Sequence, residues 1–124
     1  MVYPRALISV VDDDISIRES LPVLLGSLGY DVDTFSSADE FLRSPRIDEM
    51  DCLILDIAMP EMSGPELFQS MIASERAIPV VFITGVEDER LRSRLISMGA
   101  IDCLYKPLSV DDLCQAVASA LPFR

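Results

Sequence analysis

Five short apolar runs alternate with longer amphipathic segments through this 124-residue chain. Ala6–Val11, Val32–Phe35, Cys52–Leu55, Pro79–Thr84 and Ile101–Tyr105 have the length and composition of strands. Between and after them lie segments with helical spacing: Ile15–Leu28 stopped by Gly29, Ser37 to about Arg43, Pro65 to about Ser74, Asp88–Met98 stopped by Gly99, and a last one opened by Ser109 with Asp112 and ending before Pro122. Strict alternation of this kind predicts parallel strands joined by right-handed crossovers, with helices on both faces of one doubly wound α/β sheet. Cys52–Leu55 and Val80–Ile83 are apolar throughout and fit central, doubly buried positions, whereas Val32–Phe35 is more polar. No linker or internal repeat interrupts the pattern, so residues 1–124 read as one domain.

Local signals refine the helices. Ser16 with Glu19 offers a capping box for the first, although Asp14 is an equal candidate for its cap. Pro22 falls inside that helix and predicts a kink or a lost backbone bond. Ser37-Ala38-Asp39-Glu40 reads as a capping box for the second, and Pro65 suits the first turn of the third.

Charge and cysteine content exclude several function classes. The formal net charge of −11 argues against nucleic acid or an anionic membrane as a direct partner, since both are bound through Lys and Arg. Met1–Val11 carries a single positive charge, Arg5, and is cut off by Asp12-Asp13-Asp14, so it does not read as a signal peptide. No other apolar run approaches the roughly 20 residues of a membrane span. Cys52, Cys103 and Cys114 lie in apolar stretches of a chain without histidine, which speaks against structural zinc and for reduced core residues of a cytoplasmic protein.

The unusual residues fall just past the strands. Asp12 and Asp13 follow the first, Asp56 the third and Lys106 the fifth, while Thr84 ends the fourth. Open parallel sheets bind ligands beyond the carboxyl ends of their strands, where strand order reverses. An order 2-1-3-4-5, one of the common doubly wound orders, explains why the second strand contributes nothing. Three converging carboxylates repel one another unless one keeps a proton or a cation intervenes. An all-oxygen set without histidine or thiolate points to Mg²⁺, with Mn²⁺ as the second choice. The alternative is that Asp12–Asp14 form a solvated loop and helix cap, a role that suits Asp14. Lys106 is the only lysine among ten basic residues, and its compact ammonium could neutralise a carboxylate and then an incoming anion. Thr84, unremarkable alone, becomes a hydroxyl donor beside such a site.

Taken together, Val10-Val11-Asp12-Asp13-Asp14, Leu55-Asp56-Ile57-Ala58-Met59-Pro60-Glu61-Met62-Ser63-Gly64, Phe82-Ile83-Thr84-Gly85, Met98-Gly99-Ala100 and Tyr105-Lys106-Pro107 resemble the receiver domain of bacterial two-component response regulators. The resemblance covers nearly the whole chain and is greatest to receivers of the nitrogen-fixation transcriptional regulator type. It implies a flavodoxin-like fold and a phosphoryl group accepted on Asp56 from a sensor histidine kinase. It implies Mg²⁺ held by Asp13, Asp56 and the Ala58 carbonyl, with Asp12 acting through water. Thr84 and Lys106 would hold phosphoryl oxygens, and the Lys106-Pro107 bond would be cis. Such a domain is a phospho-acceptor switch, not a turnover enzyme, and controls an output domain or partner protein.

One departure stands out. The family usually carries a switch aromatic three residues before the lysine, and here that residue is Cys103. Tyr105, on the same strand face by the period of two, is the candidate replacement. Arg90 and Arg94 share a face of the fourth helix; they read either as a solvated surface pairing with Glu87 and Glu89 or as part of a contact face. The resemblance favours the contact face, with helix four, strand five and helix five meeting an output domain or forming a phosphorylation-dependent homodimer. Two other readings compete. A degenerate receiver would bind partners without phosphorylation, supported only by the missing aromatic. An Asp-nucleophile phosphatase would need a second Asp two residues after Asp56, where Ala58 stands; neither a P-loop nor G-x-G-x-x-G occurs.

Overall fold

The computed structural model describes residues 5–121, so Met1–Pro4, part of the segment tested as a signal peptide, and Pro122, expected just beyond the last helix, lie outside the described residues. In chain order the elements are β1 (Leu7–Val11), α1 (Ile15–Ser27), β2 (Asp31–Phe35), α2 (Ala38–Leu42), β3 (Cys52–Asp56), α3 (Gly64–Ala73), β4 (Val80–Thr84), α4 (Glu89–Ser97), β5 (Asp102–Tyr105) and α5 (Val110–Ala120). Every pairing is parallel, and the sheet order is β2-β1-β3-β4-β5, as the switch-point argument required. The sequence placed each element correctly, with ends shifted by a residue where the chain enters or leaves a turn, as at Pro79 and Ile101.

Two apolar layers sandwich the sheet. Val11, Phe35, Phe41, Leu53, Leu55, Phe68, Phe82 and Leu95 form one core with α2, α3 and α4. Ile8, Val10, Leu25, Ile54, Val81, Ile83, Leu113 and Val117 form the other with α1 and α5. Alternate residues of one strand thus enter opposite cores, which is why β1, β3 and β4 had to be apolar at nearly every position. Each fully buried Leu, Ile or Phe contributes about 1.5–3 kcal/mol relative to exposure. Phe68 and Phe82 also meet edge to face, with ring centroids 5.4 Å apart.

Register then aligns the strand ends. Val11 pairs with Leu55, Leu55 with Phe82 and Phe82 with Cys103, so the residues that follow emerge along one edge of the sheet.

The helix signals resolve individually. Asp14, not Ser16, caps α1 by accepting from the Ser16 amide. Ser37 caps α2, but its box does not close: Glu40 instead accepts a hydrogen bond from the Ser36 hydroxyl at 2.9 Å. A complete box forms at α3, where Ser63 and Glu66 bond reciprocally. Ser109 caps α5 through the Asp112 amide, as expected. Pro22 lies inside α1, which runs on through it, leaving the Arg18 carbonyl without its usual amide partner four residues on. Cys52 and Cys103 are buried, whereas Cys114 is only half-buried, a correction to its reading as a core residue.

Candidate functional site

Asp12, Asp13, Asp56, Thr84 and Lys106 lie together at the carboxyl edge of the sheet, each placed by the strand that precedes or contains it. Asp56 ends β3 and is 4% exposed; Asp12 follows β1 and is fully buried; Thr84 ends β4 and is 4% exposed. Asp13 is exposed at the mouth. Lys106 follows β5 directly and is joined to Pro107 by a cis bond, and its amide donates to the Thr84 carbonyl at 2.7 Å. Its ammonium reaches Asp12 Oδ2 at 2.9 Å and Asp56 Oδ1 at 3.6 Å. Asp14, by contrast, caps α1 and stays outside the cluster.

These groups perturb one another. Burial first, then the negative charge of Asp12, pushes the Asp56 carboxyl up to about 7, with the Lys106 charge opposing. Burial disfavours charged Lys106, but its contact with Asp12 and the charges of Asp56 and Asp12 outweigh this and hold its ammonium above its ordinary value. Asp12 Oδ2 is a buried oxygen that accepts no hydrogen bond among the described residues; its 2.9 Å approach to Lys106 is an ion pair without hydrogen-bond alignment. Asp12, Asp13 and Asp56 each offer an oxygen within 4.8 Å of the others. A compact all-carboxylate set with a fully buried member fits a hard divalent cation such as Mg²⁺.

Two features of the site were invisible to the sequence reading. At Gly64 a Cβ would overlap the Asp56 carbonyl oxygen, so α3 starts against the backbone of β3 only because residue 64 is glycine. Arg18, on α1, donates from a guanidinium nitrogen to the Asp12 carbonyl at 2.8 Å.

Further from the edge, Thr84 Oγ1 accepts from the Val86 amide at 3.1 Å and so fixes the start of the β4–α4 loop. Thr84 pairs in register with Tyr105, whose hydroxyl donates to Glu89 Oε1 at 2.7 Å. That bond, then partial burial, pushes the Tyr105 phenol up to about 12. Cys103 packs into the core beside its partner Phe82. Arg92 ties α4 to β5 a second time, through Asp102 at 2.8 Å and the Cys103 carbonyl at 3.1 Å. Arg90 and Arg94 are exposed and, among the described residues, form no ion pair with Glu87 or Glu89. Beside α4, a groove of about 480 Å³ runs along β5 to α5, lined by Glu89, Arg92, Tyr105, Asp112 and Gln115 among others. No helix among the described residues is long and apolar enough to cross a membrane.

Comparison with known proteins agrees with this geometry. The family model described as the response regulator receiver domain matches residues 8–118. Nodulation protein W of Bradyrhizobium diazoefficiens is 40% identical over 116 residues, which cover 94% of this chain and 51% of that protein. The transcriptional regulatory protein FixJ of the same organism is 36% identical over 114 residues, 92% of this chain and 56% of that protein, in line with the resemblance to nitrogen-fixation regulators. The solved structure of the response regulator StyR superposes with a TM-score of 0.88 at 41% identity, covering 96% of this chain and 60% of that one. The chain spans about half the length of the curated relatives it matches. From the sheet order, the acid edge and these matches, the chain belongs to the response regulator receiver domain family of two-component signalling.

Proposed function

We propose that Asp56 accepts a phosphoryl group from the phosphohistidine of a sensor kinase in a Mg²⁺-dependent reaction, and that the modified chain switches the activity of an output domain or partner in the cytoplasm. The observation that carries this reading is the setting of Asp56: a buried carboxylate facing a lysine at 3.6 Å beside two further carboxylates. An Asp56 oxygen forms the new P–O bond as the P–N bond breaks and its electron pair returns to the imidazole. Phosphoryl transfer needs positioning and charge stabilisation more than covalent help, and both are available here. Lys106 turns from Asp56 Oδ1 to a phosphoryl oxygen, keeping an ion pair through the change. The Thr84 hydroxyl, which donates to the Val86 carbonyl at 3.4 Å, donates instead to a phosphoryl oxygen, loosening the β4–α4 loop. Asp13, Asp56 and the Ala58 carbonyl would hold Mg²⁺, with Asp12 behind a water. When bound, the cation would offset the charge shared by the carboxylates and the transferring group.

Outward relay falls to α4 and β5. Cys103 is too small and too deeply packed to act as a rotating ring, while Tyr105 sits beside Thr84 and touches α4 through Glu89. Tyr105 therefore takes the messenger role, and the groove between α4 and α5, together with the exposed Arg90 and Arg94 elsewhere on α4, forms the output or homodimer face. In this role the chain is a switch and not a turnover enzyme.

The test is treatment with Mg²⁺ and beryllofluoride or acetyl phosphate, followed by amide chemical shifts of α4 and β5. Wild type should respond and Asp56→Asn should not. An equal response from the variant would sink the reading and leave the degenerate, phosphorylation-independent receiver in its place.

A further inference from the structure

Every polar handle of Asp12 is held. Its amide donates to the Phe35 carbonyl at 3.0 Å, its Oδ1 accepts from the Asp14 amide at 2.8 Å, and its Oδ2 faces Lys106. The fourth handle, its carbonyl, accepts from Arg18 at 2.8 Å. That carbonyl belongs to the peptide plane joining Asp12 to Asp13. The Asp13 carboxylate accepts no hydrogen bond among the described residues, so its aim depends on the backbone beneath it. Arg18 is also an odd residue for its place. The first turn of α1 carries no acid, and the helix dipole disfavours a cation near a helix N-terminus. Its guanidinium is half-buried and, among the described residues, forms no ion pair despite three neighbouring aspartates. Its hydrogen-bond partner is the Asp12 carbonyl.

We propose that Arg18 is a positioning residue for the acid site: by fixing the Asp12–Asp13 peptide plane it aims the Asp13 carboxylate at the cation shared with Asp56. This rests on the Mg²⁺-dependent reading above. The sign of the effect separates it from simple electrostatics. A guanidinium near the site repels Mg²⁺, so deleting its charge alone should tighten Mg²⁺ binding. Loss of aim should weaken it, by about 10-fold if Arg18 behaves as outer partners of metal ligands generally do.

The experiment is calorimetric titration of Mg²⁺ into wild type, Arg18→Met, Arg18→Lys and Asp13→Asn, with no phosphoryl donor, alongside urea unfolding in chelator. Arg18→Met should bind about 10-fold more weakly, and Arg18→Lys, which keeps one donor and the charge, should recover much of the loss. Unchanged or tighter binding by Arg18→Met overturns the proposal. So does equal weakening in Arg18→Lys and Arg18→Met, or an Mg²⁺ loss that merely tracks a lower unfolding midpoint. If Asp13→Asn binds Mg²⁺ like wild type, the acid-site reading itself fails, a result distinct from failure of Arg18 alone.

Discussion

Replacing Asp56 by Asn should stabilise the fold at neutral pH, and by an amount that depends on pH in a defined way. Burial and the charge of Asp12 raise the Asp56 carboxyl from 3.8 to about 7. Below pH about 4 the residue is protonated in folded and unfolded chains alike and exacts nothing. Between about 4 and 7 the unfolded chain gives up its proton while the folded one keeps it, so stability falls as pH rises through this window and levels off above it. At 1.36 kcal/mol per pH unit the displacement corresponds to a ceiling of about 4 kcal/mol. Lys106 is left with one carboxylate fewer in the variant, and local relaxation softens buried charge, so about 1–3 kcal/mol is expected. Asn is nearly isosteric and cannot ionise, and its amide can donate to the neighbouring Asp12 carboxylate. Urea unfolding followed by circular dichroism, in chelator, from about pH 4 to pH 8, gives both curves. They should coincide near the acid end and diverge toward neutrality, with the variant above. Parallel curves, or a variant less stable at neutral pH, would refute the argument that the acid cluster is held together against its own repulsion.

Three further outcomes follow from the same geometry. Saturating Mg²⁺ should raise the unfolding free energy of wild type, by about 1.4 kcal/mol at ten times its dissociation constant, and leave Asp56→Asn nearly unmoved; equal gains in both would place the cation elsewhere. Gly64→Ala should cost about 1–3 kcal/mol in thermal unfolding, because its Cβ meets the Asp56 carbonyl oxygen and backbone must shift; an unaltered midpoint would mean α3 does not start against β3. Glu89→Gln should lower the Tyr105 titration from about 12 toward 10, read from phenolate absorbance against a Tyr105→Phe blank, since the Glu89 carboxylate holds the phenol proton; an unmoved titration would remove that bond.

The fold was legible because the cores on both faces of the sheet demand it. Ile8 and Val11 enter different cores, so β1 had to be apolar on both faces, and that requirement is written in consecutive letters. The candidate site was legible for a related reason. Asp12, Asp56, Thr84 and Lys106 each occupy the position next to or at a strand end, so finding the strands located them. What could not be read depends on three-dimensional contacts that local sequence patterns do not encode. Nothing around Gly64 says that its neighbour is the Asp56 carbonyl eight residues earlier. Arg18 carries the same letter whether it meets solvent or the Asp12 carbonyl. Arg92 stands between the exposed Arg90 and Arg94 in the sequence, yet the helical turn sends it alone to β5. Glu40 was misread because Ser36, a competing donor outside the capping pattern, claimed its carboxylate.

The bonds from Arg92 have a consequence for the sheet's margin. β5 is an outer strand, and unpaired main-chain groups along such a margin are a template for another chain to extend. Here the Cys103 carbonyl is taken by Arg92 and the Cys103 amide by Asp102, whose carboxylate Arg92 in turn holds. The guard is therefore shared between the strand's own Asp102 and the arginine lent by the neighbouring helix. Where α4 sits and whether the Cys103 carbonyl is covered are a single variable, so a displacement of α4 longer than a hydrogen bond would also offer that carbonyl to whatever strand is near.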